Sequence, residues 1–259
     1  MPRGMKVLVT GAGGRIGKIF RRFYRDYYSL RLMYHRTPVE AASNEEVVKA
    51  DIRDFDSVLK AIKGMEAVVH LAANPKVNAP WNSVLELNII GTYNVFEAAR
   101  IAGVKKVVFA SSNHACGFAV LESDLVGPDA PIRPDSLYGV SKVFGEALGR
   151  YYSDKFGLSV ICLRIGACPG LEDPTHLFRE LLSGERAHPI YPPEKTVAMW
   201  ISNRDIAQLI HRSLEANLRF GIFYGVSNNT PRIFDLSETK EKLGYNPQDN
   251  AQDYLKQQP

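Results

Sequence analysis

Tyr138 and Lys142 stand four residues apart in the run Tyr138-Gly139-Val140-Ser141-Lys142. On a helix that spacing puts both side chains on one face, close enough to interact. Removing a proton from a hydroxyl at neutral pH calls for a base working near pH 7. Free tyrosine titrates near 10, so the site must supply about 3 units, or ~4 kcal/mol. One ammonium about 5 Å away contributes ~3 kcal/mol at an effective dielectric near 20. A Tyr and a Lys at this spacing are common, and the pair gains weight from Ser111-Ser112, a hydroxyl pair that ends an apolar run upstream.

The second chemical motif is Thr10-Gly11-Ala12-Gly13-Gly14-Arg15-Ile16-Gly17, in which Gly11, Gly14 and Gly17 are spaced GxxGxxG. A side chain at Gly11 would block a tight turn. One at Gly14 would hold the backbone off a pyrophosphate, and one at Gly17 would keep helix and strand apart. The helix opened by Arg15 and Ile16 offers free N–H groups and a partial positive charge to phosphates. A glycine turn that follows the first strand and opens a helix is the context expected for dinucleotide binding. About 20 residues on, such sites place Asp or Glu on the ribose. Here the stretch is Leu32-Met33-Tyr34-His35-Arg36-Thr37, with no carboxylate. Arg36 can pair with a 2′-phosphate or stack on adenine, so NAD and NADP both stay open. Asp51-Ile52 is placed to contact the adenine, and a cationic nicotinamide would supply the rest of the charge that Tyr138 needs.

The elements that must position these residues alternate along the chain. Short apolar runs at 5–10, 30–34, 47–50, 67–70, 106–110, 159–164 and 221–226 read as strands. Helices are expected over 15–27, 82–101, 136–156 and 237–243. Asp54 caps another, with Phe55, Val58, Leu59 and Ile62 at helical spacing and Gly64 closing it. Ser202 and Asp205 form a capping box for a helix that carries Ile206, Leu209, Ile210 and Leu214. The proline-rich stretch 169–193 reads as excursions above the sheet. This alternation predicts right-handed βαβ units and a parallel sheet buried on both faces. Ligands of such sheets sit beyond the carboxyl ends of the strands, where Ser112 lies.

Composition narrows the class. The chain has 259 residues, 45% hydrophobic and 23% charged, which excludes disordered and fibrous proteins. A net charge of +4 from 32 basic and 28 acidic residues is too balanced for nucleic acid or an anionic membrane as main partner. Arg21, Arg22 and Arg25 read as one solvated helix face. Cys116, Cys162 and Cys168 are odd in number with no CxxC, so neither a disulfide framework nor a metal site is expected. No apolar run approaches a membrane span, and residues 1–6 carry no signal-peptide pattern. A cytoplasmic protein with reduced thiols is expected.

Taken in order, TGAGGRIG, DI at Asp51, HLAA at His70, NIIGTYN at Asn88, SSNH at Ser111, YGVSK at Tyr138 and RIGAC at Arg164 resemble the extended short-chain dehydrogenase/reductase family, the NAD-dependent epimerase/dehydratase group. The match covers nearly the whole chain. Longer stretches, SSNHACGF, RPDSLYGVSKVFGEAL and LGYNPQDNA, are similar to uronate dehydrogenases and to a related archaeal type of sugar dehydrogenase. The resemblance implies an α/β fold, a Rossmann-type doubly wound parallel sheet with a small C-terminal substrate-binding portion. It implies a single domain over 1–259, with 165–200 and 227–259 as excursions that cover the substrate. Tyr138 resembles the base, Lys142 its partner and ribose anchor, and Ser112 the hydroxyl that orients substrate. Asn88 resembles the asparagine of the proton relay. Leu71, Ala72, Ala73 and Ile165, together with Asn88, Tyr138 and Lys142, complete the implied cofactor contacts. Asn113 and His114 match positions that contact the sugar.

The chain also departs from the uronate pattern. Lys195 stands where that group has an Arg for the substrate carboxylate, Ala167 where it has a serine, and Arg15 where it has a glutamine. Lysine keeps the charge but loses the forked geometry. Arg15, Lys76 and Lys195 also suit a sugar phosphate. About 95 residues follow Arg164, too few for a nucleotide-sugar lobe, so a small substrate is expected. The activity expected is NAD(P)-dependent oxidation of the anomeric hydroxyl of a small aldose derivative, uronate-type, to its lactone. The alternatives are a sugar-phosphate dehydrogenase of the same fold, an NDP-sugar epimerase or dehydratase and, outside enzymes, a dinucleotide-sensing regulator. The resemblance also implies a homo-oligomer through the two long helices.

Overall fold

A computed structural model of the chain describes residues 4–256. Its strands are β1 (Lys6–Thr10), β2 (Ser29–Tyr34), β3 (Glu46–Lys49), β4 (Ala67–His70), β5 (Lys106–Ser112), β6 (Ser159–Ile165) and β7 (Phe220–Gly225). They form one sheet in the order β3-β2-β1-β4-β5-β6-β7, and every pairing is parallel. β4 is buried at every position and β1 at all but its first. Unbroken apolar runs suit strands covered on both faces. The strand order reverses beside β1, which opens a crevice at the carboxyl ends of β1 and β4.

The helices are α1 (Arg15–Tyr24), α2 (Phe55–Ile62), α3 (Trp81–Ser83), α4 (Gly91–Ile101), α5 (Gly117–Glu122), α6 (Leu137–Phe156), α7 (Thr175–Ser183), α8 (Pro193–Ala198), α9 (Asn203–Glu215), α10 (Ser237–Leu243) and α11 (Ala251–Leu255). α1 and α9 cover one face of the sheet through Phe20, Ile206 and Ile210. α2, α4 and α6 cover the other through Val58, Phe96 and Tyr152. Among the described residues no helix is long and apolar enough to cross a membrane.

The structure differs from the sequence expectation in several places. α1 ends at Tyr24 rather than 27, because Arg25 caps it and the chain turns at once toward β2. The helix expected over 82–101 opens with α3 and a π-helical stretch, Val84–Ile90, before α4. Such wide turns recur at functional sites. Residues 113–122 form a 3-10 turn and α5, which no pattern had marked. The capping box at α9 is one-sided: Ser202 accepts from the Asp205 N–H at 3.1 Å, but the Asp205 carboxylate turns to Ser227 and to the N–H groups of Gln248 and Asp249.

That last contact explains the C-terminal segment. Tyr245 donates to the Val226 carbonyl at 2.9 Å, and Ala251 of α11 packs with Phe178, Leu181, Val197 and Trp200. Of the segment expected to cover the substrate, 227–259, the described residues 227–256 therefore brace 165–200 from behind. In chain order the lining of the groove described below ends at Cys168 and that of the small cavity at Met199. Residues 1–3, part of the stretch 1–6 read as carrying no signal-peptide pattern, and 257–259, the end of the expected excursion, lie outside the described residues.

Candidate active site

A long groove of ≈ 1130 Å³ runs over the carboxyl ends of the strands. The turn after β1 forms its floor. Gly11 has φ +67°, and a Cβ there would sit 2.9 Å from the Ala72 amide nitrogen. A Cβ on Gly17 would come within 2.7–2.9 Å of Ala12 backbone atoms, so α1 enters against the turn itself. Gly13, which the spacing rule passed over, lies under the Thr37 carbonyl with only 2.5 Å for a Cβ. This cradle, backed by the N-terminus of α1, fits a pyrophosphate. Gly11, Gly14, Arg15, Ile16, Gly17, Tyr34 and Arg36 all line the groove, as do Asp51, Ile52, Leu71, Ala72, Ala73 and Ile165. Those groups span the reach of a dinucleotide, and the residues present fit one.

Several side chains in and beneath the groove already have partners. Thr10 and His70 bond at 2.8 Å, and Thr10 also accepts from the amides of Leu71 and Ala72. Burial, aided by Lys142, pushes His70 down to about 3, so it is neutral and pins the β4 loop to β1. The Arg15 guanidinium donates to the Cys168 carbonyl at 2.7 Å. Arg53 forks onto Asp51 at 2.7–3.0 Å and holds its carboxyl below the usual range.

At the far end of the groove stand Ser112, Tyr138 and Lys142. Ser112 closes β5. Tyr138 and Lys142 ride the first turns of α6, capped by Ser136 through the Gly139 amide at 3.0 Å. Gly139 lets that helix press on the loop, since a Cβ would lie 2.3 Å from the His114 carbonyl oxygen. Lys142 Nζ donates to the Ala110 carbonyl at 2.7 Å and lies 5.4 Å from the centre of the Tyr138 ring. Burial pushes Lys142 down to about 8, against the pull of Glu146. Burial pushes the Tyr138 phenol up to about 12, and Ser112 draws it back only in part. Burial therefore adds to the shift that the amine and a bound nicotinamide must supply to bring the phenol near pH 7.

Below this pair, Glu146 and Arg164 form a buried fork with both contacts at 2.9 Å, and Ser111 donates to Glu146 at 2.6 Å. These bonds tie α6 to β5 and β6 one turn beneath Lys142.

A second cavity of ≈ 150 Å³ opens from the groove and shares Ser112, Tyr138, Pro75 and Gly166 with it. Asn113 and His114 line it, as the resemblance implied. His114 Nδ1 lies 2.9 Å from both Asp135 oxygens, which leaves Nε2 for a ligand. Tyr191 donates to Asp135 Oδ2 and Ser136 to Oδ1. Burial works to raise the Asp135 carboxyl, but these bonds and the His114 ring hold it below its ordinary value. The rings of His114, His188 and Tyr191 cluster with centres 4.9–5.9 Å apart, and His114 meets Tyr138 edge-on at 5.7 Å.

Two expected site residues stand elsewhere. The Asn88 side chain makes three hydrogen bonds, to the Asn74 N–H and carbonyl and to Ser141. It locks the 74–76 loop to α6 and lines neither cavity. Lys195 also lines neither: its Nζ donates to the carbonyls of Val120, Leu121 and Ser123, where it caps α5. Lys76 lines the groove but not the small cavity. The sequence reading missed Asp135, His188, Tyr191, Thr196 and Met199. Asp135, one residue before the α6 cap and three before Tyr138, carried a positional signal. The others lie in 169–199, whose path no periodicity reveals.

Comparison with known proteins agrees with this arrangement. The model of the NAD dependent epimerase/dehydratase family matches residues 7–223. The chain is 38% identical to the NAD-dependent glucose-6-phosphate dehydrogenase of Haloferax volcanii, over 96% of this chain and 95% of that protein. It is 39% identical to the L-arabinose 1-dehydrogenase (NAD(P)+) of the same organism, over 95% of this chain and 97% of that protein. Among solved structures, uronate dehydrogenase from Agrobacterium tumefaciens complexed with NAD superposes with a TM-score of 0.81 at 36% identity, covering 96% of this chain and 87% of that one. A nucleotide groove built on a glycine turn, with Ser112, Tyr138 and Lys142 at its end, and these likenesses lead to one assignment: the chain belongs to the NAD-dependent epimerase/dehydratase family.

Proposed function

We propose that this chain is an NAD(P)-dependent sugar dehydrogenase that oxidises the anomeric hydroxyl of a small cyclic sugar to its lactone, with Tyr138 as base. One observation carries the reading: Ser112 and Tyr138 line both the dinucleotide groove and the small cavity, so a carbinol in the cavity lies between phenol and cofactor. When bound, the nicotinamide supplies the hydride acceptor and a positive charge beside the phenol. Tyr138 takes the hydroxyl proton, and Ser112 holds the reacting oxygen in line. Lys142, fixed on the Ala110 carbonyl, faces the ribose side of the groove and adds its charge to the phenolate. The Gly11–Gly17 turn would hold the phosphates. The family and the sugar dehydrogenases among its relatives support this assignment, and the small cavity favours a free sugar over a nucleotide-linked one.

The chain forms one Rossmann-type domain in which 165–200 walls the sugar pocket and the C-terminal segment supports that wall. Three unbonded cysteines, whose thiols burial pushes up, suit a reducing cytoplasm. Exposed Tyr93, Ile101, Val140 and Tyr151 on α4 and α6 support a homo-oligomer paired through these helices. Arg36 at the ribose end, with no carboxylate beside it in 32–37, leaves room for either cofactor. Absorbance at the reduced-nicotinamide band, with free sugars and NAD or NADP, tests the function. Lactone formed in step with reduced cofactor supports it. Turnover of UDP-sugars without net reduced cofactor would favour an epimerase, and cofactor binding with no turnover of any sugar would favour a sensor.

A further inference from the structure

We infer that the sugar taken here is an uncharged monosaccharide rather than one carrying a carboxylate or phosphate. The inference rests on the dehydrogenase reading above and narrows its substrate class.

Volume gives the first limit. A cavity of ≈ 150 Å³ is the size that encloses a single six-membered ring. Among the described residues its lining includes no lysine or arginine. Beside Tyr138, its polar groups are Ser112, Asn113, His114, His188, Tyr191 and Thr196, hydroxyl, amide and imidazole groups that can donate to and accept from sugar hydroxyls.

The cation best placed by sequence to enter this cavity has another partner set. Lys195 belongs to α8, the helix that contributes Thr196 to the wall, yet its ammonium turns away to three carbonyls at the end of α5. Swinging inward would strip it of those acceptors and leave the helix end uncapped. Arg15 and Lys76 line the groove only, and Arg15 is held on the Cys168 carbonyl.

The charge already present opposes a second anion. Asp135, with a side chain 0% exposed, stands directly behind His114 and is bonded by Tyr191. A carboxylate or phosphate brought into the cavity would lose its hydration within reach of this buried negative charge, with only imidazole, amide and hydroxyl groups in return. A ring bearing hydroxyls alone meets no such cost.

Three sugars with one ring stereochemistry test this: glucose, glucuronate and glucose 6-phosphate, with the galactose series run in parallel. We expect kcat/KM for the neutral sugar of the better series to exceed that of its charged counterparts by about 100-fold or more. Equal or greater kcat/KM for the uronate or the phosphate overturns the inference while leaving the dehydrogenase reading intact. Failure of every sugar to reduce either cofactor removes both. Lys195→Met, assayed well below its melting temperature, should leave the neutral-to-uronate ratio within twofold. A tenfold selective loss of uronate turnover would show that Lys195 reaches the substrate, against the inference.

Discussion

Lys142 and Tyr138 meet at the mouth of the sugar cavity, the ammonium 5.4 Å from the ring centre and steered there by a 2.7 Å bond to the Ala110 carbonyl. Two effects compete over the phenol. Burial, drawn back only in part by Ser112, carries it up to about 12, whereas one ammonium at this range is worth ~3 kcal/mol, or about 2 units, at an effective dielectric near 20. A bound nicotinamide would add its positive charge to that of Lys142.

Lys142→Met therefore separates catalysis from stability. At pH 7.5 kcat/KM should fall roughly 100-fold, with the rise of activity displaced about 2 units to higher pH. Stability should move the other way. Burial lowers Lys142 from 10.5 to about 8, so the unfolded chain binds the proton more tightly, and the cost is full below pH 8. It is relieved between pH 8 and 10.5. The variant should melt higher than the parent at pH 7 by an amount reflecting up to ~3 kcal/mol, with the advantage shrinking toward pH 10. Melting curves at both pH values check this.

Gly17→Ala should weaken cofactor binding at least tenfold. Its Cβ would press on Ala12 backbone atoms at 2.7–2.9 Å, and backbone cannot swing aside as a flexible side chain does. α1 must then move off the turn and take its free N–H groups with it. Titration with NAD and NADP gives the affinity.

Much of this was legible in the residues. The inner strands β1 and β4 announced themselves as short apolar runs, because strands covered on both faces need no polar positions. The glycine turn and the Tyr138–Lys142 pair were visible because their chemistry depends on local spacing. The sugar pocket was not. His188, Tyr191 and Met199 reach it from a proline-rich segment held by contacts to α11 and Trp200, and long-range packing leaves no period in the sequence. Lys195 misled for a related reason: a lone cation shows its charge in the sequence but not which acceptors it meets. Asp205 was read as half of a capping box, though its carboxylate serves residues 248 and 249, more than forty positions away.

Asp135→Asn probes the pocket from behind. Three donors, His114, Tyr191 and Ser136, converge on that carboxylate, and an amide must turn an N–H toward one of them. KM for the sugar should rise about tenfold through misplacement of His114, while the cofactor Kd stays within twofold. Steady-state kinetics beside a binding titration separates the two.

Arg164→Met should destabilise the fold by about 3–5 kcal/mol, since it leaves Glu146 buried without its partner. Adding Glu146→Leu should recover most of that loss, because the stranded charge is then gone. Urea denaturation of the single and double variants measures the difference.

The most direct measurement is turnover by Tyr138→Phe, which deletes one oxygen from a largely buried ring. Reduced-nicotinamide formation with the best sugar should drop at least a thousandfold, while NAD and NADP bind with nearly the parent affinity. Retention of full activity in this variant would contradict the assignment of Tyr138 as the base.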